Sequence, residues 1–197
     1  PNVIALSEKH YATDGYYRNG CDAWTTALAG AGWGFAPRHG SLLDLWTGYA
    51  GSAVWGGGSF DALTGALARD MIVSGEGVAV LQPDWTWLRI SRSAIAHDHD
   101  DGTTIREGVE FMDGRESAIW IRRDPAAAPE RIDQLFEELR ASNTEFEDVT
   151  GDADVRYRII PFNAELFKRP LFFHVHFPER KGALRNFLRS VSTVANL

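Results

Sequence analysis

The residues with the most chemical potential are two histidine groups. His97, Asp98, His99, Asp100 and Asp101 run consecutively, and alternating imidazole and carboxylate can hold a divalent ion when another element closes the site. Adjacent residues in a loop point in different directions, however. The segment also lacks an HExxH spacing and an EF-hand glycine pattern, so Ala96 to Thr104 reads as a solvated turn that binds no metal. In LFFHVHF, His174 and His176 fall on one strand face with Phe172, opposite Leu171, Phe173, Val175 and Phe177. Two imidazoles at that spacing can ligate one metal. The nearest acid in sequence is Glu179, beyond Pro178, and the plainer reading is the polar face of a half-buried strand.

Candidate nucleophiles are Cys21, Ser74 and Ser41. Ser74 stands in VSGEG, where Ile72 occupies the position that a G-x-S-x-G elbow reserves for glycine. Cys21 falls on the apolar side of a predicted helix, where a buried, inert thiol is expected. GAGWGF fails the G-x-G-x-x-G pattern, and Gly56 to Gly58 lack a following Gly-Lys pair, which excludes the familiar nucleotide loops. No catalytic, cofactor-binding or metal-binding residue is expected, and the sequence identifies no DNA-contacting residue.

The elements that must carry these residues follow from periodicity. A helix is predicted from about Arg18 to Ala29, with Tyr17, Cys21, Trp24 and Leu28 at helical spacing. The glycine-rich run from Gly30 to Gly40 ends it, and a second helix is predicted from Ser41 to about Ala50 with Leu42, Leu45, Trp46 and Tyr49 on one face. Ser59 is a candidate N-cap for a third, reaching about Val73, whose face carries Phe60, Leu63, Leu67 and Met71.

Glu76 to Gln82 and Trp85 to Ile90 read as an antiparallel strand pair around Pro83 and Asp84. Ile105 to Phe111 and Ser117 to Arg123 read as a hairpin around Asp113 to Arg115. After a linker-like break at Asp124 to Glu130, Ile132, Leu135, Phe136 and Leu139 mark an amphipathic helix. Val155 to Ile160 and Leu171 to Phe177 alternate as strands, and Leu184, Phe187, Leu188 and Val191 mark a last helix. The expected fold class is α+β, with helices packed on a mainly antiparallel sheet. The expected division is residues 1–123 and 124–197.

The 197 residues can bury a sizeable core, and 27 acidic against 20 basic residues give a net charge of -7, which argues against binding nucleic acid through bulk positive charge. No apolar run approaches the roughly 20 residues that span a bilayer. The lone Cys21 cannot form an internal disulfide, and a reducing compartment is expected. The 7 Trp and 11 Phe exceed the needs of one modest core, and aromatic residues are favoured at protein interfaces. The chain starts at Pro1 and stops at Leu197 after an uncapped helical pattern, so a piece of a longer protein is expected.

Several spaced segments carry a resemblance. DGYYRNGCDAWTTALAGAGWGFAP supplies Tyr16, Asp22, Ala23, Trp24, Gly30, Gly32 and Pro37. LLDLWTGYAGSAVWGGGSFDALTGALARDMIVSGEGVAVL supplies Leu45, Trp46, Tyr49, Ala50, Phe60, Leu63, Ala68, Arg69, Met71, Ser74, Gly75 and Glu76. IREGVEFMDGRESAIWI supplies Gly108, Val109, Glu110, Gly114, Arg115, Ala118 and Trp120, and RIIPFN with HVHFPERKGALR follows. In this order they resemble the N-terminal wing region of portal proteins of lambda-like tailed bacteriophages, closely over about residues 10–123 and loosely over 156–189. The long 124–155 segment departs from that pattern, as do Ala183 and Asn186 around Arg185.

The resemblance implies a non-enzymatic structural subunit of a homo-oligomeric ring, by family a dodecamer, at the head-tail connector vertex of the capsid. Double-stranded DNA would pass through it non-specifically during packaging and ejection. Its partners would be the major capsid protein, the terminase and head-tail connector proteins, with no membrane and no cofactor. It would be assembled in the host cytoplasm and reside in the virion. A rival resemblance, over about residues 130–197, is to the ACT-type regulatory domain of threonine dehydratases, which binds an amino-acid effector. RYRI and LFFHVHFPERKGALRNFL carry it, and no pyridoxal-binding lysine motif lies upstream.

Overall fold

The computed structural model describes residues 3–30, 38–122, 146–151, 154–159, 163–164, 169–170 and 172–176. Among the described residues four helices come first: α1 (Val3–Thr13), α2 (Gly15–Ala29), α3 (Gly40–Ala50) and α4 (Phe60–Ser74). Ten strands follow: β1 (Glu76–Leu81), β2 (Trp87–Ile90), β3 (Ile105–Arg106), β4 (Val109–Met112), β5 (Arg115–Arg122), β6 (Phe146–Gly151), β7 (Asp154–Ile159), β8 (Asn163–Ala164), β9 (Arg169–Pro170) and β10 (Phe172–His176). The class is α+β. The chain forms two compact units, Pro1–Val78 with His174–Leu197, and Ala79–Phe173. The expected boundary at 123/124, the helix over 131–141 and the last helix around Leu184 to Val191 lie outside the described residues.

In the first unit, α2 begins three residues earlier than the spacing predicted. Asp14 caps it, its side chain accepting the N–H groups of Tyr16 and Tyr17. Its buried stripe also differs. Cys21 and Thr25 are inside, whereas Trp24 is 57% and Leu28 53% exposed. Tyr11, Tyr17 and Met71 pack around Cys21, Ile72 and Val73, joining α1, α2 and α4. The Tyr11 hydroxyl donates to Asp22 at 2.7 Å, and the Ser7 hydroxyl meets both Tyr17 and the Val73 carbonyl. Helix α1 had no sequence prediction; its one buried position among Leu6 to Thr13 is the polar Ser7.

Ser59 caps α4 as predicted, accepting from the Ala62 N–H, and Gly75 ends the helix at a φ of 95°. Phe60, Leu63 and Leu67 are buried, and Met71 is half-buried. Helix α3 starts at Gly40 rather than Ser41 and buries none of its residues. Its predicted stripe splits: Leu42 and Leu45 stay exposed, whereas Trp46 sets its ring edge on Phe60 at 5.1 Å.

In the second unit, β3, β4, β5, β7 and β6 form an antiparallel sheet in that order. Two tight turns set its first registers. Glu107 and Gly108 have φ of 49° and 78° between β3 and β4, and Asp113 and Gly114 have 52° and 74° between β4 and β5. Positive φ at both central positions matches the twist of a two-residue hairpin, and Glu-Gly and Asp-Gly supply it. Val109, Ile119, Ile121 and Ile159 are buried and share one face of the sheet by register and alternation, while Ala118, also buried, lies on the opposite face with Glu110. Strand β6 lies beyond the predicted helix, in a stretch for which no element was predicted, and its residues pair with β7 from Phe146↔Ile159 to Gly151↔Asp154. A further sheet has the order β10-β1-β2, and β8 pairs with β9. The β1 to β2 turn closes with the Trp85 N–H donating to the Gln82 carbonyl at 2.9 Å.

Candidate functional site

The loop over Ala96 to Thr104 is built as a self-contained turn. Asp101 Oδ1 accepts backbone N–H groups from Thr103, Thr104 and Ile105, and Oδ2 accepts the Thr104 hydroxyl at 2.6 Å. Those donors hold its carboxyl well below the usual carboxylate range. Asp100 likewise accepts the Gly102 N–H. The histidines are not solvated, contrary to the sequence reading: both are half-buried. His97 Nε2 meets the Arg92 guanidinium and lies 2.9 Å from the Arg92 carbonyl, while His99 sets its ring against Trp120 at 4.5 Å. Asp100 and Asp101 therefore serve the loop's own turns, while His97 and His99 contact Arg92 and Trp120.

The loop docks where glycine permits. A Cβ on Gly108 would stand 2.7 Å from the Ala96 carbonyl oxygen, and the Gly108 N–H donates to the His99 carbonyl at 2.9 Å.

Three strands of the same unit share one carboxylate. Glu110 on β4 takes two hydrogen bonds from the Arg158 guanidinium on β7, at 2.8 and 2.7 Å, and one from the Trp120 indole on β5 at 3.2 Å. Arg158 holds the Glu110 carboxyl below its ordinary value, against the opposing effect of burial. A carboxylate so bound is a poor proton donor or acceptor near neutrality, and the arrangement acts as a clamp across β4, β5 and β7.

In the first unit, the candidate nucleophiles are similarly committed. Cys21 is fully buried, and burial pushes its thiol upward, as the helical placement implied. The Ser74 hydroxyl donates to Glu8 at 3.1 Å. Ser41 lines a shallow concavity on α3 with Asp44, Leu45, Gly48 and Tyr49, and among the described residues none of that lining is a histidine base.

His174 and His176 are different. Their rings lie side by side on β10 with centroids 4.6 Å apart, and His174 Nε2 stands 2.9 Å from Glu76 Oε2. The Glu76 and His174 side chains are 1% and 4% exposed, while His176 is exposed. This partner was missed because 98 residues separate Glu76 from His174 in the chain. A signal existed nonetheless: Glu76 opens a strand buried at every position, and a buried acid requires a partner. A scan against protein-family models finds no match for the chain, and a search of curated proteins finds none either.

Proposed function

We propose that the chain is the wing region of a bacteriophage portal subunit, a structural component of a homo-oligomeric ring at the head-tail connector vertex. The observation that carries this reading is the collinear order of the lambda-like segments. Two of them coincide with local devices that need those residue types. The Ser-Gly-Glu segment contains the left-handed Gly75 that ends α4 and the buried Glu76 that opens β1. The Gly-Val-Glu segment contains the turn glycine Gly108 and the clamp carboxylate Glu110. Exposed Trp24, Leu28, Leu42, Leu43 and Leu45 add apolar surface of the kind that neighbouring subunits cover.

In this role the protein catalyses nothing. It binds further copies of itself, the major capsid protein, the terminase and connector proteins, and it lets double-stranded DNA slide. A sliding duplex is best served by few phosphate-gripping cations, since each contact adds affinity and salt dependence, and the net charge of -7 accords with that. Light scattering on the full-length protein at micromolar concentration is expected to give a mass of many subunits. A strictly monomeric mass contradicts the reading.

A further inference from the structure

We propose that His174 and His176 form a binding site for a single divalent ion of the zinc type, with Glu76 as the carboxylate that orients His174. A histidine pair on a solvated strand face needs no buried acid behind it. Here the Glu76 side chain is 1% exposed and lies 2.9 Å from His174 Nε2. Taking a carboxylate out of water is costly, and a hydrogen bond to imidazole offsets part of that cost while fixing the ring. With Nε2–H donating to Glu76, the His174 ring presents Nδ1 as its electron-pair donor. Carboxylate, histidine and metal in sequence form a recurrent arrangement in which the acid sets the tautomer and raises ligand basicity.

His176 supplies the second ligand because alternate strand residues share a face. One ring nitrogen from each histidine lies within 4.8 Å of the other. Two nitrogens on one tetrahedral zinc, each at about 2.0 to 2.1 Å, stand about 3.4 Å apart. Rotation of the exposed His176 ring is the adjustment the site requires to close that difference, and its exposure gives the ion a path from solvent. Imidazole pairs suit Zn²⁺, Ni²⁺ and Cu²⁺ over Mg²⁺ or Ca²⁺.

The test uses zinc chloride with the full-length protein, with calorimetry for affinity, elemental analysis for stoichiometry and Co²⁺ substitution for the ligand-field spectrum. One equivalent is expected. His176→Ala, at an exposed position, is expected to keep the melting temperature of the metal-free protein while weakening zinc binding at least 10-fold. Glu76→Gln is expected to weaken it about 10-fold, the lower end of the effect of removing such an orienting acid. A His97→Ala, His99→Ala variant is expected to bind as the parent does. Failure of the parent to take up zinc, undiminished binding by His176→Ala, or loss in the His97 and His99 variant would each overturn the proposal. Ring assembly is not read in any arm, so the result is independent of the portal reading.

Discussion

At the scale of single residues, contact geometry turns two positions into firm expectations. Gly77 has no left-handed φ, yet a Cβ there would sit 2.5 Å from the Leu67 carbonyl oxygen and 3.0 Å from its Cα. Both neighbours are helix backbone and cannot yield as a side chain would. Gly77→Ala is therefore expected to push β1 from α4 and cost about 1 to 3 kcal/mol in chemical denaturation, the range for overpacking. Glu110 makes a pH-dependent prediction. Its folded pKa is depressed, chiefly by hydrogen bonding to Arg158, so its contribution is present above the unfolded carboxyl value of about 4.3 and is lost as pH falls through the lower folded value. Glu110→Gln is expected to cost about 1.5 to 3 kcal/mol at pH 7, as for hydrogen bonds to a charged group. The gap from the parent should narrow steadily below pH of about 4. Denaturation midpoints across that range decide it, and a gap that stays constant contradicts the assignment.

Among the elements, α4 was legible beforehand in its N-cap and most of its apolar stripe, though not in its buried Ile72, Val73 and Ser74. Ser59 precedes an apolar stripe and Gly75 follows it, and the cap, the buried face and the left-handed stop all appear as the residue types require. Leu67, 2% exposed, lies at the centre of that face. Leu67→Ala is expected to cost about 2 to 5 kcal/mol, measured by thermal unfolding beside the parent, and an unchanged midpoint would show that the face is not packed. Helix α2 was legible only in part. Periodicity found Cys21 but extended the stripe to Trp24 and Leu28, because hydropathy registers that a side chain is apolar and not whether a neighbour covers it. Thr25 took the inside position instead, satisfying its hydroxyl on the Cys21 carbonyl at 2.8 Å. The hairpin around Asp113 to Gly114 shows the opposite case, since its turn chemistry is local and so is visible in sequence, whereas the span read as one strand from Ile105 to Phe111 is broken by a second turn at Glu107 and Gly108 into β3 and β4. Long-range pairings were not. Neither the Glu110 to Arg158 clamp nor the Glu76 to His174 contact has its two partners near each other in sequence, because the strands that create them are brought together by the fold.

For the whole molecule, the α+β class followed from helical spacing in the first 74 residues and alternation after them. No helix among the described residues is long and apolar enough to cross a membrane. The central claim is assembly, and it is carried by segment order with the exposed apolar surface in support. Electron micrographs of the purified full-length protein test it most directly. Class averages are expected to show closed rings of a single rotational symmetry, twelvefold by the family resemblance. Particles with no rotational symmetry and the mass of one chain would contradict the account.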